Sequence, residues 1–213
     1  SDSASMSIFK GTEALNIHHD YTNSDTGSLG IPEFGTGFVR QMLKDTNPTT
    51  FEELVRISGL SHGTDVWLNN AQDLINQGIT VLKNAICTRD DIMNYLIGQG
   101  LDKKLSFNIM EKVRKGKGLS EDDEKAMREI KIPEWYIESC NKIKYMFPRA
   151  HAVAYVMMSY RIAFYKVHYP AYFYATYFTN KIADFQYSII SKDLEFITMY
   201  IKEYKSSENP TID

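Results

Sequence analysis

Along most of this chain apolar residues return every three or four positions, and strict alternation with polar residues is rare. That pattern predicts helices throughout. Residues 1–35 are the exception: sustained periodicity is missing, one short element fits 6–15, and 18–30 reads as polar loop. Helical spacing begins with Phe38, Val39, Met42 and Leu43, and Thr46-Asn-Pro-Thr-Thr50 then stops one helix and starts another. Thr50 and Glu53 have the spacing of a capping box, so the next helix should run over 51–57 before Ser58-Gly-Leu-Ser-His-Gly-Thr64 breaks it. Further helices are predicted over 68–82 with an interruption at Gln77-Gly78, over 88–98, and over 106–113. Thr88 caps the second of these, with Asp90 and Asp91 in its first turn and Ile92, Tyr95 and Leu96 on one face. Ser120 with Asp123 opens another that ends before Ile132-Pro133, and four more cover 134–144, 148–168, 171–181 and about 190–204. The fold class is therefore all-α and irregular. Its predicted divisions are a loop-rich N-terminal segment over 1–35, a helical domain over 36–185, and a C-terminal helix and linker over 186–213.

At 213 residues the chain can bury a substantial core. Its 43% hydrophobic and 13% aromatic content excludes a disordered or low-complexity reading. Cys87 and Cys140 lie far apart, with no CxxC and no nearby histidine pair, which points to a reducing compartment and away from zinc. No apolar run approaches the length of a membrane span and no leader is apparent, so the expectation is a soluble cytoplasmic protein with no membrane partner. The opening Ser-Asp-Ser and the polar tail over 206–213 read as the ends of a piece of something longer.

Charge changes this picture. The formal net charge is −3, yet 139–183 contains no aspartate or glutamate while carrying Lys142, Lys144, Arg149, Arg161, Lys166 and Lys181. Inside it sits Lys144-Tyr-Met-Phe-Pro-Arg-Ala-His-Ala-Val-Ala-Tyr155. Pro148 suits a first helical position, so Arg149 and His151 fall in a first turn whose free N–H groups attract anions. His151 and Tyr155, one turn apart, share a face. A phosphate-bearing, base-stacking ligand fits such a place; a solvated basic helix end is the plain alternative. Lys112, Arg114, Lys115 and Lys117, interleaved with Gly116 and Gly118, could hold phosphates, or form an exposed turn neutralised by Ser120-Glu-Asp-Asp-Glu124. The stretch 98–118 also has the look of a helix-hairpin-helix, which would make the chain a stand-alone DNA-binding module. Ser58, Ser61 and His62 sit between glycines, where they could donate to a phosphate or simply cap a helix, and Arg89 occupies a helix start that disfavours cations. Polymerase-type catalysis needs paired carboxylates on two metal ions. Asp90-Asp91, Asp122-Asp123 and Asp20 or Asp25 read instead as helix starts and turns, so no catalytic residue is assigned.

Several of these segments together resemble a known family. They are Leu29-Gly-Ile-Pro-Glu-Phe-Gly-Thr36, Ile57-Ser-Gly-Leu-Ser-His-Gly-Thr-Asp-Val-Trp67, Arg89-Asp-Asp-Ile-Met93, Val113-Arg-Lys-Gly-Lys-Gly118, Ile132-Pro-Glu-Trp-Tyr136, the run from Lys144 to Tyr155, and Val167-His-Tyr-Pro170. In this order they resemble the fingers region of the PolC-type DNA polymerase III alpha subunit, the C-family replicative DNA polymerase. The likeness extends to about Phe185 and is weaker beyond it. The resemblance implies a helical fingers domain that contacts the incoming dNTP and template-primer DNA. The Mg2+-binding aspartates would lie in an upstream palm, so this piece alone would be inactive. Palm and thumb domains would be its partners, and the sliding clamp would be reached only through a missing C-terminal region. By matched position it places Ser58, Ser61, His62, Arg89, Arg114, Lys115, Lys117, Arg149 and His151 around the nucleotide, and Phe147 and Tyr155 near the nascent base pair. Arg149 stands where the family commonly has lysine; arginine keeps the charge but presents a different fork of donors.

Overall fold

Most helices begin where a side chain can accept one of the backbone N–H groups that a helix start leaves unpaired. The computed structural model describes residues 2–17, 24–183 and 186–206. The first part of the predicted polar loop, the candidate carboxylate Asp20, the limit at Phe185 and the tail beyond Ser206 lie outside the described residues. Asp2 caps α1 (Ser3–Ser7), and Thr36 caps α2 (Gly37–Thr46) by accepting from the Val39 amide. Thr50 and Glu53 form a full capping box on α3 (Phe51–His62), and Ser120 and Asp123 another on α7 (Glu121–Glu129). At α5 (Arg89–Gly98) the carboxylate half carries the cap: Asp91 Oδ2 accepts from the Thr88 amide at 2.8 Å and the Cys87 amide at 3.1 Å. The Thr88 hydroxyl itself is buried without a partner. Asp102 caps α6 (Lys103–Arg114), which packs against α5.

Several predicted boundaries differ, and four of the differences have a physical reason. Helix α3 does not break at Ser58 but runs to His62. Gly59 lies inside it because a Cβ there would sit 2.7 Å from the Cys87 carbonyl oxygen, so glycine serves close packing rather than a turn. The element expected over 68–82 is α4 (Gln72–Asn76) alone, preceded by a kinked turn in which Leu68 is extended and Asn69 left-handed. Helix α8 (Glu134–Lys142) stops before Ile143, which is extended. Pro148 is the residue before α9 (Arg149–His168), not its first helical residue; proline at the first position occurs instead in α10 (Pro170–Asn180). The short α11 (Tyr187–Ile190) and α12 (Leu194–Ser206) follow. Among the described residues the β-structure amounts to one antiparallel bridge, Thr64 with Tyr145, so the architecture is all-α.

Helix α9 organises the core. Its 20 residues span about 30 Å and contact α1, α3 and α10. Apart from Lys166 it buries only small positions, Ala152, Val156, Ser159 and Ala163, which lets neighbours approach closely. The loop-rich N-terminal segment belongs to the same core through Ile8, Phe9, Ile31 and Phe34. It is moored to α9 by polar bonds: the Tyr160 hydroxyl donates to the Asp2 carbonyl at 2.7 Å, and Lys166 Nζ donates to the carbonyls of Gly27 and Leu29 at 2.7 and 2.6 Å. These bonds hold one end of α9, and the other end carries the candidate site.

Candidate nucleotide-binding site

The segment 144–148 between α8 and α9 is not helical, and its backbone groups pair with three helix ends. Thr64, just past α3, donates its amide to the Tyr145 carbonyl at 2.9 Å and accepts from the Lys144 amide at 3.0 Å. The Met146 amide reaches the Arg114 carbonyl at the end of α6, and the Arg89 amide at the start of α5 donates to the Phe147 carbonyl at 3.2 Å. Gly116, with φ +69°, permits this: a Cβ would stand 2.5 Å from the Lys144 carbonyl oxygen. The close approach read from that glycine is thus made to protein backbone. His62, Arg89, Arg114 and Arg149, distant in sequence, are therefore all anchored beside one short segment.

On it the rings form a row. His62 stacks on Phe147 at 4.8 Å, Phe147 meets His151 edge-on at 4.7 Å, and His151 lies 4.7 Å from Tyr155. His62, His151 and Tyr155 are exposed and Phe147 is half-buried. His62 is fixed from both sides. Its Nδ1 lies 2.8 Å from the Ser58 carbonyl and 3.0 Å from the Ser61 hydroxyl, and its Nε2 lies 2.9 Å from Glu33 Oε2. Glu33 takes a left-handed conformation, φ 70°, that a residue with a Cβ adopts only when its surroundings hold it there. Ser58 differs from its neighbours: its side chain is buried in the interior of α3 and its hydroxyl meets no partner.

The charges divide into two groups. Arg149 does not present a free guanidinium, because Nη2 contacts both oxygens of Glu52 at 2.7 and 2.6 Å and Nη1 lies 3.5 Å from Asp91 Oδ1. Its amide donates to Asp90 Oδ2 at 2.7 Å, so an internal carboxylate occupies part of the anion site expected at this helix start. A segment free of carboxylates in sequence thus meets three of them in space. Arg114 and Lys115 both contact Glu111; their hydrogen bonds, Arg114's first, hold its carboxyl down at about 2. Lys112 pairs with Asp123 at 2.6 Å. With Lys112, Arg114 and Lys115 so engaged, a duplex-binding hairpin over 98–118 is not favoured. The second group comprises Arg89, Lys117 and Lys144, whose side chains make no ion pair among the described residues, while Lys142 reaches only the Asn69 carbonyl. Sequence reasoning missed Glu33, Glu52 and the partnering roles of Asp90 and Asp91, because no local pattern announces a partner 59 or 97 residues away.

Among the described residues no group of three or more histidine, cysteine, aspartate or glutamate side chains could hold a metal ion. Asp91 caps α5, Asp90 receives the Arg149 amide, Asp123 receives Lys112, and Asp25 pairs with Lys44. No helix among the described residues is long and apolar enough to cross a membrane.

Comparison with known sequences decides the family. The family described as the bacterial DNA polymerase III alpha subunit finger domain matches residues 1–132. The chain belongs to that family. The PolC-type DNA polymerase III of Caldanaerobacter subterraneus subsp. tengcongensis is 59% identical over 208 residues, covering 98% of this chain and 15% of the relative. Those of Clostridium perfringens and Staphylococcus saprophyticus are 58% and 57% identical, each covering 96% of this chain and 14% of the relative. The fingers-domain chain therefore spans about one seventh of the length of the curated relatives it matches, and the resemblance read from its motifs agrees with the family. The 59% match over nearly the whole chain reaches well past residue 132, so α9 with its ring row is included.

Proposed function

We propose that this domain, within an intact replicative DNA polymerase, binds the incoming deoxynucleoside triphosphate and the nascent base pair and positions them for nucleotidyl transfer catalysed elsewhere in the polymerase. The observation that carries the reading is the meeting of two helix starts, α5 and α9, at Phe147–Arg149. Their partial positive ends, the amides of Ala150 and His151, and Arg89 and Lys144, which make no ion pair among the described residues, would face a polyanion, while the Phe147–His151–Tyr155 row offers surfaces to bases. Ser61, His62, Arg114, Lys115 and Lys117 surround this place through the backbone pairing of 144–147, and Ser58 supports His62 through its carbonyl. Arg114, Lys115 and Arg149 contribute with their carboxylate partners attached, which fixes their geometry before ligand arrives.

Charge positioning of this kind lowers the barrier by holding the phosphates in line. Mg2+ supplies charge neutralisation in that chemistry, but the carboxylates here are committed to caps and ion pairs, so the ion would be held elsewhere in the polymerase. Template-primer DNA, a palm and a thumb complete the proposed assembly, with the sliding clamp engaged through parts of the polymerase outside this chain, in the cytoplasm. In the intact polymerase Arg89→Ala should raise the dNTP KM or lower the incorporation rate by about tenfold, equivalent to about 1.4 kcal/mol, with primer-template affinity unchanged. Steady-state kinetics identical to wild type would remove Arg89 from the site.

A further inference from the structure

A separate cleft of about 520 Å³ opens between α3, the 83–85 loop, α5, α8 and the start of α9. Of the residues placed around the dNTP only Arg149 lines it; His62, Arg89, Phe147, His151 and Tyr155 do not. One wall is aromatic: Tyr95 stacks on Tyr136 at 4.5 Å, and Trp135 meets Tyr136 edge-on at 5.5 Å. The rim carries two amides, Asn84 and Asn94, both exposed. The lining also includes Arg56, Lys83 and Arg149, of which the two guanidinium groups are held by Glu52 and Asp91. Three cations against two carboxylates leave the cleft positive by one charge, and Lys83, exposed and without an ion pair among the described residues, is its unneutralised member. Tyr136 is 2% exposed and anchors the aromatic wall through its ring.

We propose that this cleft is a second nucleotide-binding site, taking one planar base with its 5′-phosphate. The base lies against Trp135 and Tyr95, where ring stacking is indifferent to base identity. The paired donor and acceptor of Asn84 or Asn94 match the edge of a purine. Lys83 meets the phosphate. The chemistry is shared by a free mononucleotide and by one residue of a single strand passing over the domain.

The test follows the Trp135 indole N–H by two-dimensional NMR, assigned with Trp67→Phe, while the 213-residue chain is titrated with dAMP, with adenosine and with a six-nucleotide single strand of dA. Shifts with dAMP identify a mononucleotide site, and shifts with the oligonucleotide alone identify a strand site. Lys83→Glu, a surface change, should weaken either by about tenfold. Adenosine binding as tightly as dAMP, full affinity in Lys83→Glu, or no shift with any ligand would overturn the proposal. The readout is an indole in the cleft rather than incorporation kinetics, so its failure leaves the dNTP site standing, and the reverse holds equally.

Discussion

Gly59→Ala sets helix propensity against packing, and the structure decides the sign. Alanine inside a helix is favoured over glycine by about 1 kcal/mol, so propensity alone predicts stabilisation of α3. The added Cβ would stand 2.7 Å from the Cys87 carbonyl oxygen and 2.7 Å from Thr88 Cγ2. Neither can yield cheaply: the oxygen is backbone, and Thr88 is the capping residue of α5. Overpacking of this kind costs about 1–3 kcal/mol, and two such contacts place the cost in the upper half of that range. The net expectation is a loss of about 1–2 kcal/mol, or roughly 3–6 °C in Tm for a chain of this size. Urea denaturation followed by circular dichroism measures it, as a lower midpoint with an unchanged slope. Gly98→Ala is the internal control, since a Cβ there meets nothing within 4 Å and should leave stability unchanged or raise it. If Gly59→Ala proves as stable as wild type or more so, the close approach of α3 to the 87–88 turn is refuted.

Two further outcomes are expected. Burial pushes Lys166 down to about 8 from its ordinary 10.5; between those values the unfolded chain holds a proton that the folded chain has lost, so this group makes stability rise with pH across that window. Below pH 8 both states are protonated and the buried charge costs roughly 3 kcal/mol. Lys166→Met, compared by urea melts at pH 7.5 and pH 10, should lack that rise, and equal slopes in the two proteins would contradict the assignment. Burial likewise pushes the Cys87 thiol up to about 12 and the Cys140 thiol higher still; neither should react with Ellman's reagent until the chain is denatured, and prompt labelling of the native protein would show that a thiol is exposed.

Local signals survived the comparison between sequence and structure. The Thr50–Glu53 and Ser120–Asp123 boxes, the α5 start at Thr88 and its stop near Gly98-Gln-Gly100 depend on neighbours within four residues, and each appears where the pattern put it. The failures share the opposite property. Gly59 reads as a breaker until the carbonyl of Cys87 is known to lie against it, and Arg149 reads as a free cation until Glu52 and Asp91 arrive from other helices. The carboxylate-free run was a true feature of composition, but charge balance is struck in space. For the candidate site, the ring row was half legible: His151 and Tyr155 share a helix face by spacing alone, whereas His62 joins them only through the pairing of Thr64 with Tyr145. The cleft beside Trp135 left no mark in the sequence, because its five walls come from five separate stretches.

Main-chain atoms make every bond by which 144–147 ties the ends of α3, α5 and α6 together. Placement of the helices is thus uncoupled from which side chains the segment displays. Lys144 and Tyr145, both exposed, can be exchanged for residues of other charge, size or polarity without breaking those bonds, whereas Phe147 also packs against the core and His62. Selection, or an engineer, has there a socket whose contents can be rewritten while its walls stay put.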